Sequence, residues 1–143
     1  MNKQTIENFK NYFSQLGPNN DSALAEIYSE NIVFTDPIHQ IRGIKNLRQY
    51  FGSLNENLIE GSFMFTDESI IDNKAFLCWQ MHLKLKRPKK HVSASGISVL
   101  TIEQGKIIEQ RDFFDAGELF YEHVPVLGGI IRFIKKKIAA DKR

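Results

Sequence analysis

The segment "KAFLCWQMHLKLK" (74–86) constrains the fold of this chain more than any other part of the sequence. Its apolar residues occupy every second position and are Ala75, Leu77, Trp79, Met81, Leu83 and Leu85. Because side chains in a β-strand point alternately to opposite faces, this alternation predicts one long strand with one apolar face.

Further strands are predicted on both sides of this segment. "GSFMFTDESII" (61–71) precedes it across a turn at Asp72-Asn73, and "HVSASGISVLTI" (91–102) follows it across the polar cluster "RPKK". The hairpin turn "EQGK" (103–106) then leads to the segment "IIEQRDFFD" (107–115). Consecutive strands joined by short turns are typical of antiparallel pairing, so we expect an antiparallel sheet.

Helical spacing of apolar residues precedes the sheet. A first helix is expected to end at Gly17-Pro18, and a second to start at the caps Asp21-Ser22 and to carry Tyr28 inward. A short strand (32–36) and a third helix (43–58) follow. Helices followed by strands in a chain of 143 residues predict a single α+β domain, residues 1–143, with the helices on one side of the sheet.

The C-terminal part of the chain is helical and basic. "DAGE" (115–118) is expected to start a helix that Pro125 breaks, and an amphipathic helix is expected over about 127–140. Residues 129–143 contain six Lys/Arg and one Asp, about +5, whereas the rest carries about −3. We expect this helix to cover the curved sheet with its lysines in solvent; contact with an anionic membrane surface is the alternative.

Bulk properties exclude several classes of protein. The net charge of +2 does not predict a nucleic-acid partner, and the single Cys78 allows no intrachain disulfide. The N-terminal "MNKQTIENF" lacks the apolar run of a signal peptide, so we expect a cytoplasmic protein.

Dinucleotide, Walker, zinc-protease and nucleophile-elbow motifs do not occur, and the four histidines lack ligand spacing, so neither cofactor nor metal is expected.

Asp36, in "VFTDPIH" (33–39), is the most informative acid of the sequence. It shares a strand face with Ile32 and Phe34, although a carboxylate is out of place among buried side chains. It is either a turn residue before Pro37 that accepts a backbone hydrogen bond, or an acid in an apolar pocket whose pKa is raised by desolvation. Both interpretations stay open at the level of the sequence.

Three other polar side chains are candidates for a site. Tyr12 lies on the apolar face of the first helix, either as a core residue or as a hydroxyl donor to a developing oxyanion. Asp112 shares its face with Gln110 and Phe114, either in an ion pair or as a second functional acid, whereas Asp115 is expected to be a helix cap. His82 is a candidate proton carrier if its side of the strand faces inward.

Two blocks of sequence, "FTDPI…RGIKNLRQYF" and "GKIIEQRDFFDAGE", together with the order of elements, resemble the nuclear transport factor 2-like superfamily. Within it, the chain is similar to the SnoaL-like branch, with its polyketide cyclases, ketosteroid isomerases and limonene-epoxide hydrolases. The resemblance covers nearly the whole chain. It implies a cystatin-like cone, in which a strongly curved antiparallel sheet wraps around the N-terminal helices, with the C-terminal amphipathic helix as an addition.

The resemblance also implies roles for single residues. Ketosteroid isomerases pair a helix-1 tyrosine with an aspartate of an "EDPV"-like strand end, and Tyr12 and Asp36 fall on those positions. Their second aspartate would lie near Ile97, where "SGIS" contains no acid. Limonene-epoxide hydrolases end with a "W-R-D-Y-F-D"-like strand, which "QRDFFD" matches at Asp112; in place of their Arg-x-Asp pair this chain has Gln80 and His82.

These observations predict a cofactor-independent isomerase, cyclase or hydrolase of a small hydrophobic metabolite. Asp36 would be the general base, Tyr12 would polarise an oxygen, and Asp112 or His82 would move a second proton. The expected pocket walls are Phe63, Phe65, Trp79 and Phe114. The alternatives are a non-catalytic pocket for an apolar ligand, and an interaction module that forms a homodimer through its exposed sheet face.

Overall fold

The computed structural model describes residues 2–17, 23–115 and 125–140. In chain order the elements are α1 (Asn2–Ser14), α2 (Leu24–Ile27), β1 (Tyr28–Thr35), β2 (Gln40–Arg42), α3 (Ile44–Glu56), β3 (Leu58–Ile71), β4 (Lys74–Leu85), β5 (Lys90–Glu103), β6 (Lys106–Phe114) and α4 (Pro125–Ala140). The predicted α+β class is therefore confirmed.

The six strands form one open sheet in the order β2-β1-β6-β5-β4-β3. From β3 to β6 each strand pairs antiparallel with the next, as the short turns predicted. β1 differs, because it pairs parallel with β6 and aligns Phe34 with Gln110 and Thr35 with Arg111. Parallel pairing carries the carboxyl ends of both strands to the same edge of the sheet, so it brings Asp36 beside Asp112.

Several element boundaries differ from the sequence-based expectations. Tyr28 begins β1 instead of ending the second helix. The helix was predicted to include it because residues 24, 27 and 28 have helical spacing, although Tyr28 fits the start of a strand equally well. The third helix ends at Glu56, since Leu58 already pairs with Leu85 in the sheet. β2 was missed, because three residues are too few to show a pattern. The expected caps Asp21-Ser22 and the helix start over 116–118 lie outside the described residues.

The core lies between α1, α3 and the inner face of the sheet. The alternation of β4 is confirmed, with Ala75, Leu77, Trp79 and Met81 buried. Ala75 and Leu77 belong to one core cluster with buried residues of both helices and the neighbouring strands, including Ile6, Phe9, Phe51, Leu100 and Ile107. Trp79 and Met81 form a second, smaller cluster with Ala94. Register shifts between Leu58 and Glu60, and between Phe65 and Asp67, are of the kind that bend a strand. A bent sheet packed against helices encloses space at its wider end.

The described side chains of α4 do not cover the sheet. Residues 132–139 are all exposed, and Phe133 and Ile138 expose 66% and 60% of their surface. For this part of the helix the expected cover is wrong, since its large apolar side chains reach solvent instead of the core. Among the residues described, no helix is long and apolar enough to cross a membrane.

Candidate functional site

A cavity of about 450 Å³ lies between α1, α3 and the inner face of the sheet. Its wall is mainly aromatic and includes Phe13, Phe51, Phe63, Trp79 and Phe114. Of the four walls expected from the sequence, Phe65 alone is not at the cavity. Its ring packs 5.9 Å from that of Phe9, so it belongs to the core beside the site.

Gly96 makes room for the wall formed by Trp79. The two residues are directly opposite each other in the register of β4 and β5. A Cβ atom at position 96 would lie 2.5 Å from both the Trp79 ring and the backbone oxygen of Phe113. Only glycine therefore lets the indole lie across β5, where its Nε1–H donates a hydrogen bond of 2.9 Å to Ser98 Oγ.

Asp36 is both a turn residue and a side chain of the cavity. It follows β1, and its Oδ1 accepts hydrogen bonds from the backbone N–H groups of Ile38 (2.8 Å) and His39 (2.6 Å), as a turn residue does. Its side chain nevertheless lines the cavity and exposes only 5% of its surface. The hydroxyl of Tyr50 donates to the other oxygen, Oδ2, at 3.4 Å.

Asp112 is held by a hydrogen-bond network whose members lie on three strands, β1, β5 and β6. Its Oδ1 accepts hydrogen bonds from Ser98 Oγ (2.7 Å) and Gln110 Nε2 (3.0 Å). Ser98 is its direct partner in the register of β5 and β6, and Gln110 precedes it on the same face. The buried Tyr28 hydroxyl donates in turn to Gln110 Oε1 at 2.5 Å. Both the Ser98 and the Gln110 hydrogen bonds therefore go to Oδ1 rather than to Oδ2. The Asp112 side chain lines the cavity.

The surroundings of Asp112 change its acidity. Burial raises the pKa of its carboxyl from 3.8 to about 6, the hydrogen bonds from Ser98 and Gln110 oppose this, and the negative charge of Asp36 adds to it. A carboxyl with a pKa near 6 is populated in both protonation states close to neutrality, which a general acid or base requires. Asp112 can therefore exchange a proton with a ligand in the cavity near neutral pH.

Tyr50 was missed by the sequence analysis as a site residue. It lies on α3 and lines the cavity, and its hydroxyl oxygen is 3.4 Å from Nδ1 of His39, which is itself 3.3 Å from Asp36 Oδ1. Burial and, after it, the charge of Asp36 raise the pKa of Tyr50 above its ordinary value, so the hydroxyl stays protonated as a donor. The sequence feature that could have identified Tyr50 is its position on the apolar stripe of the predicted third helix.

Tyr12 lines the same cavity from α1 with only 4% of its surface exposed. Asn55 Nδ2 donates to its hydroxyl oxygen at 3.4 Å. The structure thus brings together Tyr12, Asp36 and Asp112, three of the four acid–base candidates, on one cavity.

His82, the fourth candidate, does not reach the cavity. Trp79 and Met81 point inward from β4, so alternation turns His82 to the outer face. There its Nδ1 is 3.0 Å from Ser93 Oγ of β5. The expected role of His82 as a proton carrier in the pocket is wrong for this reason. Gln80, two residues before it, is likewise exposed.

Comparison with known proteins assigns this chain to a family. The profile of the SnoaL-like domain family matches residues 9–110. No curated protein matches the sequence.

Solved structures with the same fold include proteins described as enzymes. An LEH-like epoxide hydrolase from M. tuberculosis is 14% identical, over 96% of this chain and 95% of that chain, with a TM-score of 0.69. A protein from Shewanella denitrificans OS-217, described as a SnoaL-like polyketide cyclase, is 15% identical over 82% and 92%, with a TM-score of 0.71. A protein with a ketosteroid isomerase-like fold from Catenulispora acidiphila DSM 44928 is 8% identical over 80% and 88%, with a TM-score of 0.70. At such identities these likenesses show the fold alone.

Proposed function

The chain belongs to the SnoaL-like domain family, and from this membership and its cavity we propose that it is a cofactor-independent acid–base enzyme. Its substrate would be a small apolar metabolite that carries a carbonyl group. A cavity of about 450 Å³ lies in the range of small-molecule sites, and aromatic walls favour an apolar ligand.

One observation carries the proposal: a carboxyl with a pKa of about 6 lines an apolar cavity that also holds a second carboxyl. Buried acids without a function are rare, because an apolar site destabilises their charged form. Perturbed carboxyls in a cleft are typical of catalytic sites, where an ordinary acid must exchange protons near neutral pH.

The proposed step is a proton transfer at carbon. The carboxylate of Asp112 takes a proton from the carbon next to the carbonyl, and the electrons of that C–H bond move into an enolate. In a substrate with a carbon–carbon double bond next to that carbon, the enolate is a dienolate, and the Asp112 carboxylic acid returns the proton to the far carbon of the former double bond. The double bond thereby shifts into conjugation with the carbonyl, and the enzyme is restored. Tyr12, whose hydroxyl lies on the cavity wall, would stabilise the enolate oxygen.

Asp36, the base expected from the sequence, takes a different part in this proposal. Its Oδ1 already accepts two backbone hydrogen bonds, which fix the carboxylate at the end of β1. Its charge adds to the rise in the pKa of Asp112, which lies beside it at the end of the paired strand β6. Asp36 would therefore add to the basicity that burial gives Asp112, and would help to position Tyr50.

Deuterium exchange tests this proposal without knowledge of the natural substrate. The protein is incubated in D₂O with a panel of apolar cyclic ketones, and deuterium incorporation beside the carbonyl is followed by mass spectrometry. We expect exchange above the buffer rate in the wild type, and a loss of about 10²- to 10⁴-fold in Asp112→Asn, the usual contribution of a general base. Ser93→Ala, on the outer face of the same sheet, is the matched control.

The alternative function, a non-catalytic pocket for an apolar ligand, gives a different result. Trp79 is the single tryptophan and lines the cavity, so quenching of its fluorescence reports ligand entry. Ketones that quench this fluorescence but exchange no faster than in buffer would identify a binding protein and overturn the catalytic proposal. An Asp112→Asn variant that exchanges like the wild type would do so as well.

A further inference from the structure

The exposed side chains of α4 are not used by the cavity. Phe133, Ile134 and Ile138 expose 66%, 49% and 60% of their surface. Ile134 and Ile138 are one helical turn apart on one side of the helix. Phe133 lies at the edge of that side, with Lys137 between it and Ile134, because residue 137 follows them by four and three positions. Large apolar side chains grouped on one exposed surface indicate a site that contacts a membrane or another protein.

Basic side chains accompany this apolar surface. Arg132 and Lys135–Lys137 are all exposed, and Lys135 also pairs with Asp115 at the end of β6. Residues 129–143 carry a net charge of about +5, whereas the rest of the chain carries about −3. The positive charge is therefore concentrated in the segment that also exposes apolar side chains.

We propose that α4 binds the surface of an anionic lipid bilayer. Phe133, Ile134 and Ile138 would enter the boundary between headgroups and acyl chains, and the basic side chains would contact anionic headgroups. A helix with an apolar side and Lys/Arg on its polar side lies in this interface. In α4, helical spacing puts Arg132, Lys135 and Lys136 on the polar side and Lys137 beside Phe133 and Ile134. Lysines next to the apolar side keep their ammonium groups in water by extending along it.

The distribution of charge favours lipid and also sets an orientation. An acidic body is repelled by an anionic surface, whereas a basic helix is attracted to it, so α4 would face the bilayer and the rest of the domain would point away. A second copy of this chain is the competing occupant, because the acidic body of one copy could attract the basic helix of another. This inference does not depend on the chemistry of the cavity.

Co-sedimentation with sucrose-loaded vesicles tests the proposal on the full chain. The vesicles contain phosphatidylcholine alone, or phosphatidylcholine with about one third phosphatidylglycerol as the anionic lipid. We expect binding to the anionic vesicles that weakens with added salt. The Lys136→Gln/Lys137→Gln variant should bind them about 25-fold more weakly, since each basic residue near such a surface contributes about fivefold.

The apolar side is tested by Phe133→Ser/Ile138→Ser, which we expect to lower binding by on the order of tenfold or more. Two controls place changes of the same kind elsewhere. Lys86→Gln/Lys89→Gln lies in an exposed turn, and Ile71→Ser replaces one apolar side chain at a residue 62% exposed. Both controls should bind like the wild type. Circular dichroism and thermal unfolding of every variant establish that the domain is folded.

Two results would overturn the proposal. One is a wild-type protein that stays in the supernatant with anionic vesicles at low salt. The other is a Phe133→Ser/Ile138→Ser variant that binds vesicles like the wild type but changes from dimer to monomer by light scattering. That second result would assign the apolar side of α4 to another copy of this chain.

Discussion

Ser98→Ala removes the shorter of the two hydrogen bonds that Asp112 Oδ1 accepts, 2.7 Å from Ser98 against 3.0 Å from Gln110. This bond stabilises the ionised carboxylate and so lowers the pKa of Asp112 against the larger effect of burial. Without the donor, the carboxylate loses stability relative to the neutral acid. The pKa of Asp112 is therefore expected to rise.

The size of this rise follows from the strength of the bond. A hydrogen bond to a charged group contributes about 1.5–3 kcal/mol, and 1.36 kcal/mol corresponds to one pH unit, so we expect a rise of about one to two units. Starting from about 6, the pKa of Asp112 would reach a value between about 7 and 8. The variant would then hold mostly the neutral acid at pH 7.

Carbon-13 NMR of labelled aspartate carboxyls measures this pKa directly. The Asp112 resonance is assigned by its absence from the Asp112→Asn variant and followed from about pH 3 to about pH 10, which brackets the ordinary and raised values. Ser93→Ala removes a hydroxyl from the outer face of the same strand, β5, and should leave the Asp112 titration unchanged.

An Asp112 pKa that stays near 6, or that falls, in Ser98→Ala would refute this reasoning. It would mean that Ser98 does not donate to the carboxylate, and that the hydrogen-bond network positions Asp112 without setting its acidity. The deuterium-exchange profile gives a second readout, because a base with a higher pKa needs a higher pH to be ionised.

Four further predictions concern charge, stability and assembly. Asp36→Asn removes the negative charge near Asp112, so the Asp112 pKa should fall below about 6 in the same NMR titration. Asp112 has a folded-state pKa raised from 3.8 to about 6, so its contribution to stability is full below pH 3.8 and is lost as the pH rises to about 6. Asp112→Asn should therefore be more stable than the wild type by up to about 3 kcal/mol at about pH 7.5 in urea unfolding, with a smaller gain at about pH 4.5. Gly96→Ala should displace Trp79, change its fluorescence maximum and destabilise the fold by about 1–3 kcal/mol, whereas an unchanged spectrum would contradict the close contact at position 96. The homodimer expected from the sequence, formed through the outer sheet face where Ile97 is 39% exposed, should become a monomer by light scattering in Ile97→Lys.

The sheet could be predicted from the sequence because its information is local. β4 shows its inward face in every second residue, and the turns at Asp72-Asn73 and Gln104-Gly105 are where the chain adopts left-handed backbone, with φ of 54° at Asp72 and 52° at Gln104. The parallel pairing of β1 with β6 could not be predicted in this way. It joins residues far apart in the chain, such as Phe34 and Gln110, and no local pattern encodes that contact.

The residues of the candidate site likewise include some that local sequence patterns predict and some that they do not. Asp36 and Asp112 could be found because each is an acid on an apolar strand face, but their meeting on one cavity depends on the pairing of β1 with β6. Ser98 and Tyr50 gave no comparable signal, since a serine in a strand and a tyrosine on a helix are ordinary. The error on His82 was avoidable, because the alternation that turns Trp79 inward turns residue 82 outward.

The two acids of the cavity share one structural feature that decides how they can be tested. In each, Oδ1 accepts at least two hydrogen bonds, from backbone N–H groups at Asp36 and from Ser98 and Gln110 at Asp112. These bonds fix the orientation of each carboxyl, and both side chains line the cavity. Asparagine keeps an Oδ1 acceptor but carries no charge, whereas alanine loses the acceptor as well. Differences between the wild type and the asparagine variants therefore report on charge and proton transfer rather than on the shape of the site.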